Sequence, residues 1–297
     1  MTATKGGPTE SISCRFGETD PAALEAADAN ETRSADPWFS VRLTPSLLRH
    51  VSGPDLAIPN VRSPLDLAIV ERAAFLFPPL GDPAGWNVRF GRELNATEDR
   101  DCFGPPGRGL RVVEGWQVEP FRINLTLSRS SVSAHDAEKR LGRRHQRRRL
   151  AYRDVAGATN RVTLIAAVLP AGCVTTHTLF CLRTELPTRV QFFLCGVFNS
   201  LVVNYLARLW VGTHVTTSIV ERLPVPVLET TDPAFHEISA AARLLAKGSH
   251  PQRRARLEAL VASLYRLTLD EFAHVLSTFP IVDQEDRDLA LQMFRGM

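Results

Sequence analysis

The stretch that most restricts the fold is GVFNSLVVNYLARLWVGTHVTTSIVERLPVPVL, Gly196–Leu228. Its first half crowds Val197, Phe198, Leu201, Val202, Val203, Tyr205, Leu206, Leu209 and Trp210 together without a proline. That pattern predicts a nearly buried helix over Thr188–Val211, so the rest of the chain must enclose it. One stripe departs: Gly196, Ser200, Asn204 and Arg208 recur every four residues, small and polar, as on a face packed closely against a sheet. The helix then runs into Gly212-Thr213-His214 and Thr216-Thr217, and Pro224 and Pro226 close the segment. Such a loop either caps the helix and starts a strand, or presents its donors and acceptors to something outside the chain.

At 297 residues the chain is long enough for a substantial core. A hydrophobic share of 44% against 23% charged is that of a soluble globular protein. Asn199, Ser200 and Asn204 interrupt the most apolar run, so no transmembrane span is expected there. The N-terminus lacks an apolar export segment. Five cysteines without a C-x-x-C pair suit a reduced, cytoplasmic protein. Cys173, His177 and Cys181 are spaced i, i+4, i+8, but they fall in a predicted strand turn whose alternation scatters them. With no fourth ligand in a suitable place, no metal site is expected.

Composition changes along the chain outline an α+β fold. Residues 1–37 are rich in Ala, Thr, Gly, Asp and Glu and read as a flexible leader or linker. Ser63-Pro64 opens a capped helix that ends before Pro78-Pro79. Short apolar pieces at 86–90 and 110–113 sit among loops, and a basic helix follows. Arg161–Leu169 and Val174–Leu182 are β-branched runs around Pro170-Ala171-Gly172, which predicts a strand-turn-strand unit. After Pro233 the pattern is helical: 234–247, 251–267, 269–276 and 283–295. The expected organisation is a mixed α/β domain at 38–228 and an α-helical tail at 229–297.

Charge is unevenly placed. The net charge is only +3, and of 35 basic residues just three are lysine. The run EKRLGRRHQRRRLAYRD gathers seven basic residues between Lys139 and Arg149. On a helix Arg140, Arg143, Arg144, Arg147 and Arg148 share one face, with Arg149 beside them. The run is either a solvated surface or a stripe facing a polyanion, for which guanidinium forks are suited. Next comes Tyr152-Arg153-Asp154, where an Asp-held Arg153 could reach a guanine, or an Arg-Asp pair could simply fix a turn.

The motifs of self-contained catalysis are missing. No glycine-rich cofactor loop follows a strand, and the two Pro-Pro pairs stand in Phe77-Pro78-Pro79-Leu80 and Gly104-Pro105-Pro106-Gly107, not in Asn/Asp-Pro-Pro-aromatic. None of the three lysines follows an acid at the spacing of a metal-dependent nuclease. Neither a G-x-S-x-G elbow nor a P-loop is present. No catalytic residue is assigned.

Several segments carry a resemblance. In order, they are LAIPNVRSPLDLAIVERA, WNVRFGRELNATEDRDCF, LRVVEGWQVEPFRI, LAYRDVAGATNRVTLIAAVLPAGCVTTHTLF, FFLCGVFNSLVVNYLARLWVGTHVTTSIVERLPVP and LEALVASLYRLTLDEFAHVLSTFP. This series resembles the C-terminal target-recognition region, with a TaqI-like specificity domain, of type IIG and phage-defence restriction–modification N6-adenine methyltransferases. Its segments lie between residues 37 and 281. The Phe-Asn-Ser helix leading to Thr-His and Leu-Pro-x-Pro also resembles type I specificity subunits. The family's methyltransferase half, with its cofactor loop, has no counterpart in this chain.

What the resemblance implies is a sequence-specific DNA recognition module. Double-stranded DNA and a methyltransferase or restriction catalytic subunit would be its partners. S-adenosylmethionine would be bound by that subunit and no cofactor by this chain. Arg140, Arg143, Arg144, Arg147, Arg148 and Arg149 would hold phosphates. Tyr152, Arg153, Thr213, His214, Thr216 and Thr217 would lie at the bases, and the partner would turn the target adenine out of the stack. Two other readings stay open: an inert remnant of a disrupted gene or a structural interaction protein, and a self-sufficient enzyme with an unrecognised site.

Overall fold

The computed structural model describes residues 6–17, 20, 22, 41–157 and 159–297. The leader expected at 1–37 lies largely outside these residues. The chain forms two compact units, one ending at Phe75 and one spanning Leu76–Met297.

In the first unit β1 (Ile12–Cys14) pairs antiparallel with β2 (Val41–Leu43). Thr44 caps α1 (Pro45–Ser52), its hydroxyl accepting from the Leu47 N–H at 3.2 Å, and Pro45 fits the first turn, where no N–H is needed. The expected capped helix is α2 (Pro64–Leu76). Ser63 Oγ accepts from Asp66 N at 3.1 Å, and the Asp66 carboxylate accepts from Arg62 N at 2.8 Å.

The second unit joins small sheets to helices. Its strands are β3 (Phe90–Gly91), β4 (Phe103–Gly104), β5 (Leu110–Val113), β6 (Val118–Glu119), β7 (Arg122–Ile123), β8 (Ser131–Val132), β9 (Arg149–Arg153), β10 (Ala166–Leu169), β11 (Cys173–Thr175) and β12 (Leu179–Leu182). One sheet has the order β10-β9-β12-β3 and is antiparallel throughout; the other, β11-β5-β8-β4, has one parallel pair, β11 with β5. The β6–β7 hairpin adds to the first sheet's edge, where the Phe121 N–H donates to Ala166 O at 2.9 Å.

Two expectations change here. The run from 161 to 169 becomes a strand only from Ala166, because the buried Asn204 amide oxygen takes the N–H groups of Thr163 (2.8 Å) and Leu164 (2.7 Å). Backbone donors satisfied by a side chain have no need of a neighbouring strand. The strand-turn-strand unit expected around residues 170–172 is present as β10, a turn and β11, but the two strands do not pair with each other. A turn at Thr176–Leu179 splits the second run, sending β11 to one sheet and β12 to the other.

The long apolar helix is likewise two helices, α4 (Thr188–Phe198) and α5 (Leu201–Arg208), bent by 65°. Ser200 adopts extended backbone and caps α5, its hydroxyl accepting from Val203 N at 3.3 Å. The Asn199 amide turns outward and pairs with both backbone groups of Ala166, at 2.8 and 3.1 Å, as a strand neighbour would. Among the described residues no single helix is long and apolar enough to cross a membrane.

The expected C-terminal helices are α7 (Pro233–Leu245), α8 (Pro251–Leu264), α9 (Leu269–Ser277) and α10 (Gln284–Arg295), preceded by a short α6 (Thr217–Arg222). They complete the same core. A Cβ on Gly196 would meet Ile238 Cγ2 at 2.6 Å, so glycine is what lets α7 lie against α4. Phe193 and Phe235 stack across that contact, with centroids 4.9 Å apart. The small stripe therefore packs on a helix here, where a sheet was expected. The fold is α+β with a helical C-terminal region.

Candidate nucleic-acid interface

The polar loop after α5 is fastened to the end of β9. Val215 N donates to Asp154 O at 2.8 Å, Asp154 N donates to Thr178 O at 3.0 Å, and Val155 bridges His214 in antiparallel register. The Asp154 side chain is buried between Arg92 and His214. Arg92 Nη2 donates to Oδ2 at 2.6 Å, and His214 Nδ1 lies 3.2 Å from Oδ1. Arg92 also covers the Phe180 ring at 4.9 Å, which fixes its plane. The His214 ring is thus oriented by a buried carboxylate yet 55% exposed. With Asp154 accepting at Nδ1, a neutral His214 has Nε2 left as an acceptor.

Thr213 and Thr216 are exposed beside it and Thr217 is half-buried. Thr216 is the N-cap residue of α6, but its hydroxyl pairs with Ser218 Oγ at 2.9 Å and leaves the cap unmade. The loop leads into a helix, not a strand.

The basic run does not form the expected helical stripe. α3 (Ala134–Leu141) stops where Gly142 takes φ of 60°, a left-handed value glycine adopts without strain. A 3-10 turn covers 142–146, and β9 starts at Arg149. The arginines therefore point to different places. Arg140 is held by Asp99 at 2.5 Å and Asp101 at 3.1 Å, and Arg143 lies 3.5 Å from Glu138. Arg147 pairs with Glu185 and donates to Arg183 O. Arg144 is half-buried and Arg148 exposed, neither with an ion-pair partner among the described residues.

Two expected contacts are corrected outright. Arg149 is 2% exposed, its guanidinium forked onto Glu93 at 2.6 and 2.7 Å and donating to Cys173 O at 2.9 Å. Glu93 also accepts from Thr175 N and Oγ1, so the pair ties β9 to β11 and is satisfied on both sides. Tyr152 is fully buried between Phe90 and Phe180, and burial pushes its hydroxyl well above the ordinary value. Neither side chain can reach a ligand. They lie three apart, on opposite faces of β9, which is buried on both sides, and the run's charge masked the strand.

Arg153 does not pair with Asp154, its sequence neighbour. Strand alternation sends it to the other face, where Nη2 comes within 3.5 Å of Trp116 O. The true partner, Arg92, stands 62 positions earlier in the chain and carries no local motif. Among the described residues no group of three or more His, Cys, Asp or Glu is arranged to hold a metal. Cys173, Cys181 and Cys195 are buried thiols, and burial pushes Cys195 up to about 12. Compared with known proteins, the chain matches no family model and no curated protein.

Proposed function

We propose that this chain is a cytoplasmic, sequence-specific DNA recognition module of a restriction–modification or phage-defence system, which positions duplex DNA for an N6-adenine methyltransferase on another polypeptide. The observation that carries the reading is the Arg92–Asp154–His214 cluster. Base discrimination requires exposed hydrogen-bonding groups held rigidly. His214 has its Nδ1 edge fixed by a buried carboxylate and its other edge at the surface, between Thr213 and Thr216. A Nε2 acceptor suits the exocyclic amines of adenine and cytosine, and threonine hydroxyls suit either kind of partner. Arg148, exposed and without a carboxylate partner among the described residues, is the member of the basic run best placed for phosphate. S-adenosylmethionine belongs, in this reading, to the partner.

Selection from a random duplex library at low and moderate salt tests it. A short motif enriched at both salts is the expected result. Binding without enrichment, lost as salt rises, would reduce the surface to a general polyanion contact.

A further inference from the structure

A second feature lies on the opposite side of β9. A cavity of about 600 Å³ opens between the β6–β7 hairpin, the end of β9, the loop before β10 and the start of α8. Arg122, Arg153, Arg161 and Arg254 line it, against the carboxylates of Glu119 and Asp286. Two of the arginines are already engaged. Arg122 pairs with Glu119 at 2.8 Å; Arg254 holds the buried Glu258 at 2.6 Å, donates to Asn199 O and covers Phe121 at 5.0 Å.

The other two are not. Arg153 has a buried Nε without a hydrogen-bond partner and only the long contact to Trp116 O. Burial holds its guanidinium below the ordinary value, with Glu119 partly opposing. Arg161 has no side-chain partner among the described residues. A desolvated guanidinium donor without an acceptor, as at Arg153, costs stability until an anion arrives, and Arg161 adds a second, exposed fork to the lining. The N-terminus of α8 also borders the cavity, and its N-cap residue His250 makes no side-chain cap. Phe121, Val162 and Ile165 supply an apolar wall.

We propose that this cavity binds a small phosphate ester, with the phosphate on Arg153 and Arg161 and the organic group against Phe121, Val162 and Ile165. Planar forks suit phosphate oxygens, and the apolar wall gives an ester an advantage over the bare ion. The site stands apart from the DNA reading, since Arg161 and the wall take no part in the His214 loop.

Calorimetric titration of the full chain with phenyl phosphate and with inorganic phosphate, at low ionic strength, tests the proposal. Saturable one-to-one binding of phenyl phosphate is expected, tighter than inorganic phosphate and weakened roughly tenfold or more by Arg161→Gln or Arg153→Gln. Arg143→Gln, at an exposed residue outside the cavity lining, leaves it unchanged. Should Arg153→Gln fail to fold, the exposed Arg161→Gln still decides. No saturable binding, equal binding of both anions, or indifference to Arg161→Gln would overturn the assignment. Displacement of phenyl phosphate by duplex DNA would overturn it too, by making the cavity part of the DNA path. Loss of motif enrichment with phenyl phosphate binding intact would strike only the DNA reading.

Discussion

Two adjacent stretches, 199–208 and 212–217, contain similar polar side chains and use them in opposite ways. In the first, Asn199, Ser200 and Asn204 are buried, and each closes on backbone groups: Asn204 alone accepts from two N–H groups and donates to Phe198 O and Ser200 O. Arg208 continues the pattern, donating to Thr163 Oγ1 and Thr278 O. In the second, Thr213, His214 and Thr216 are exposed, and only His214 is tied inward, through Asp154. The difference is set by the surroundings. Where a helix breaks inside the core, its orphaned donors and acceptors draw in every polar side chain. Where the backbone is already satisfied by bridges, side chains stay at the surface, Thr216 pairing only with the exposed Ser218.

The sharpest way to break this comparison is to attack the buried side. Arg149→Met leaves the Glu93 carboxyl without its cationic partner inside the core and should cost about 3–5 kcal/mol in urea unfolding. Asn204→Ala orphans the Thr163 and Leu164 N–H groups and should cost roughly 2–3 kcal/mol. Either variant unfolding like the parent would mean these groups find water or other partners.

Glu258 gives a smaller, pH-dependent effect. Burial raises its carboxyl above the ordinary value, against the pull of Arg254 and the Leu201 N–H. The folded state thus holds this proton more tightly than the unfolded one, so as pH rises from about 4.5 through the folded value, Glu258 loses stability for the protein. Relative to Glu258→Gln, whose amide never ionises, the parent should weaken over that window. A constant difference between the two denaturation profiles would contradict it. Smallest of all, His214→Ala should change stability by no more than about 0.5 kcal/mol, as expected for an exposed position.

How much was legible in the sequence follows the same division. Periodicity located the helices from Pro64, Pro233, Pro251, Leu269 and Gln284; the first three start on a proline and the fourth on the Thr268 cap, while Asp283 stands before the last without making a side-chain cap. The break at Asn199-Ser200 was hidden, since a polar stripe at helical spacing looks alike whether it packs or bends. The arginine run misled more. Counting i, i+3 and i+4 positions presumes one continuous helix, and Gly142 ends it with Arg143, Arg144, Arg147, Arg148 and Arg149 still to come. Of the site, the loop residues Thr213, His214 and Thr216 could be named from the sequence. Arg92 could not, because only the pairing of β3 with β12 brings it near Asp154.

The most direct test of the account compares motif selection and salt dependence for the parent, a His214→Ala/Thr216→Ala double variant, and Arg148→Gln. The account predicts that the loop variant changes or loses base preference while keeping the parent's salt slope. Arg148→Gln should keep the motif and lower the slope by about 0.9, the loss of one phosphate contact. A loop variant that selects the parent's motif with the parent's affinity would contradict it.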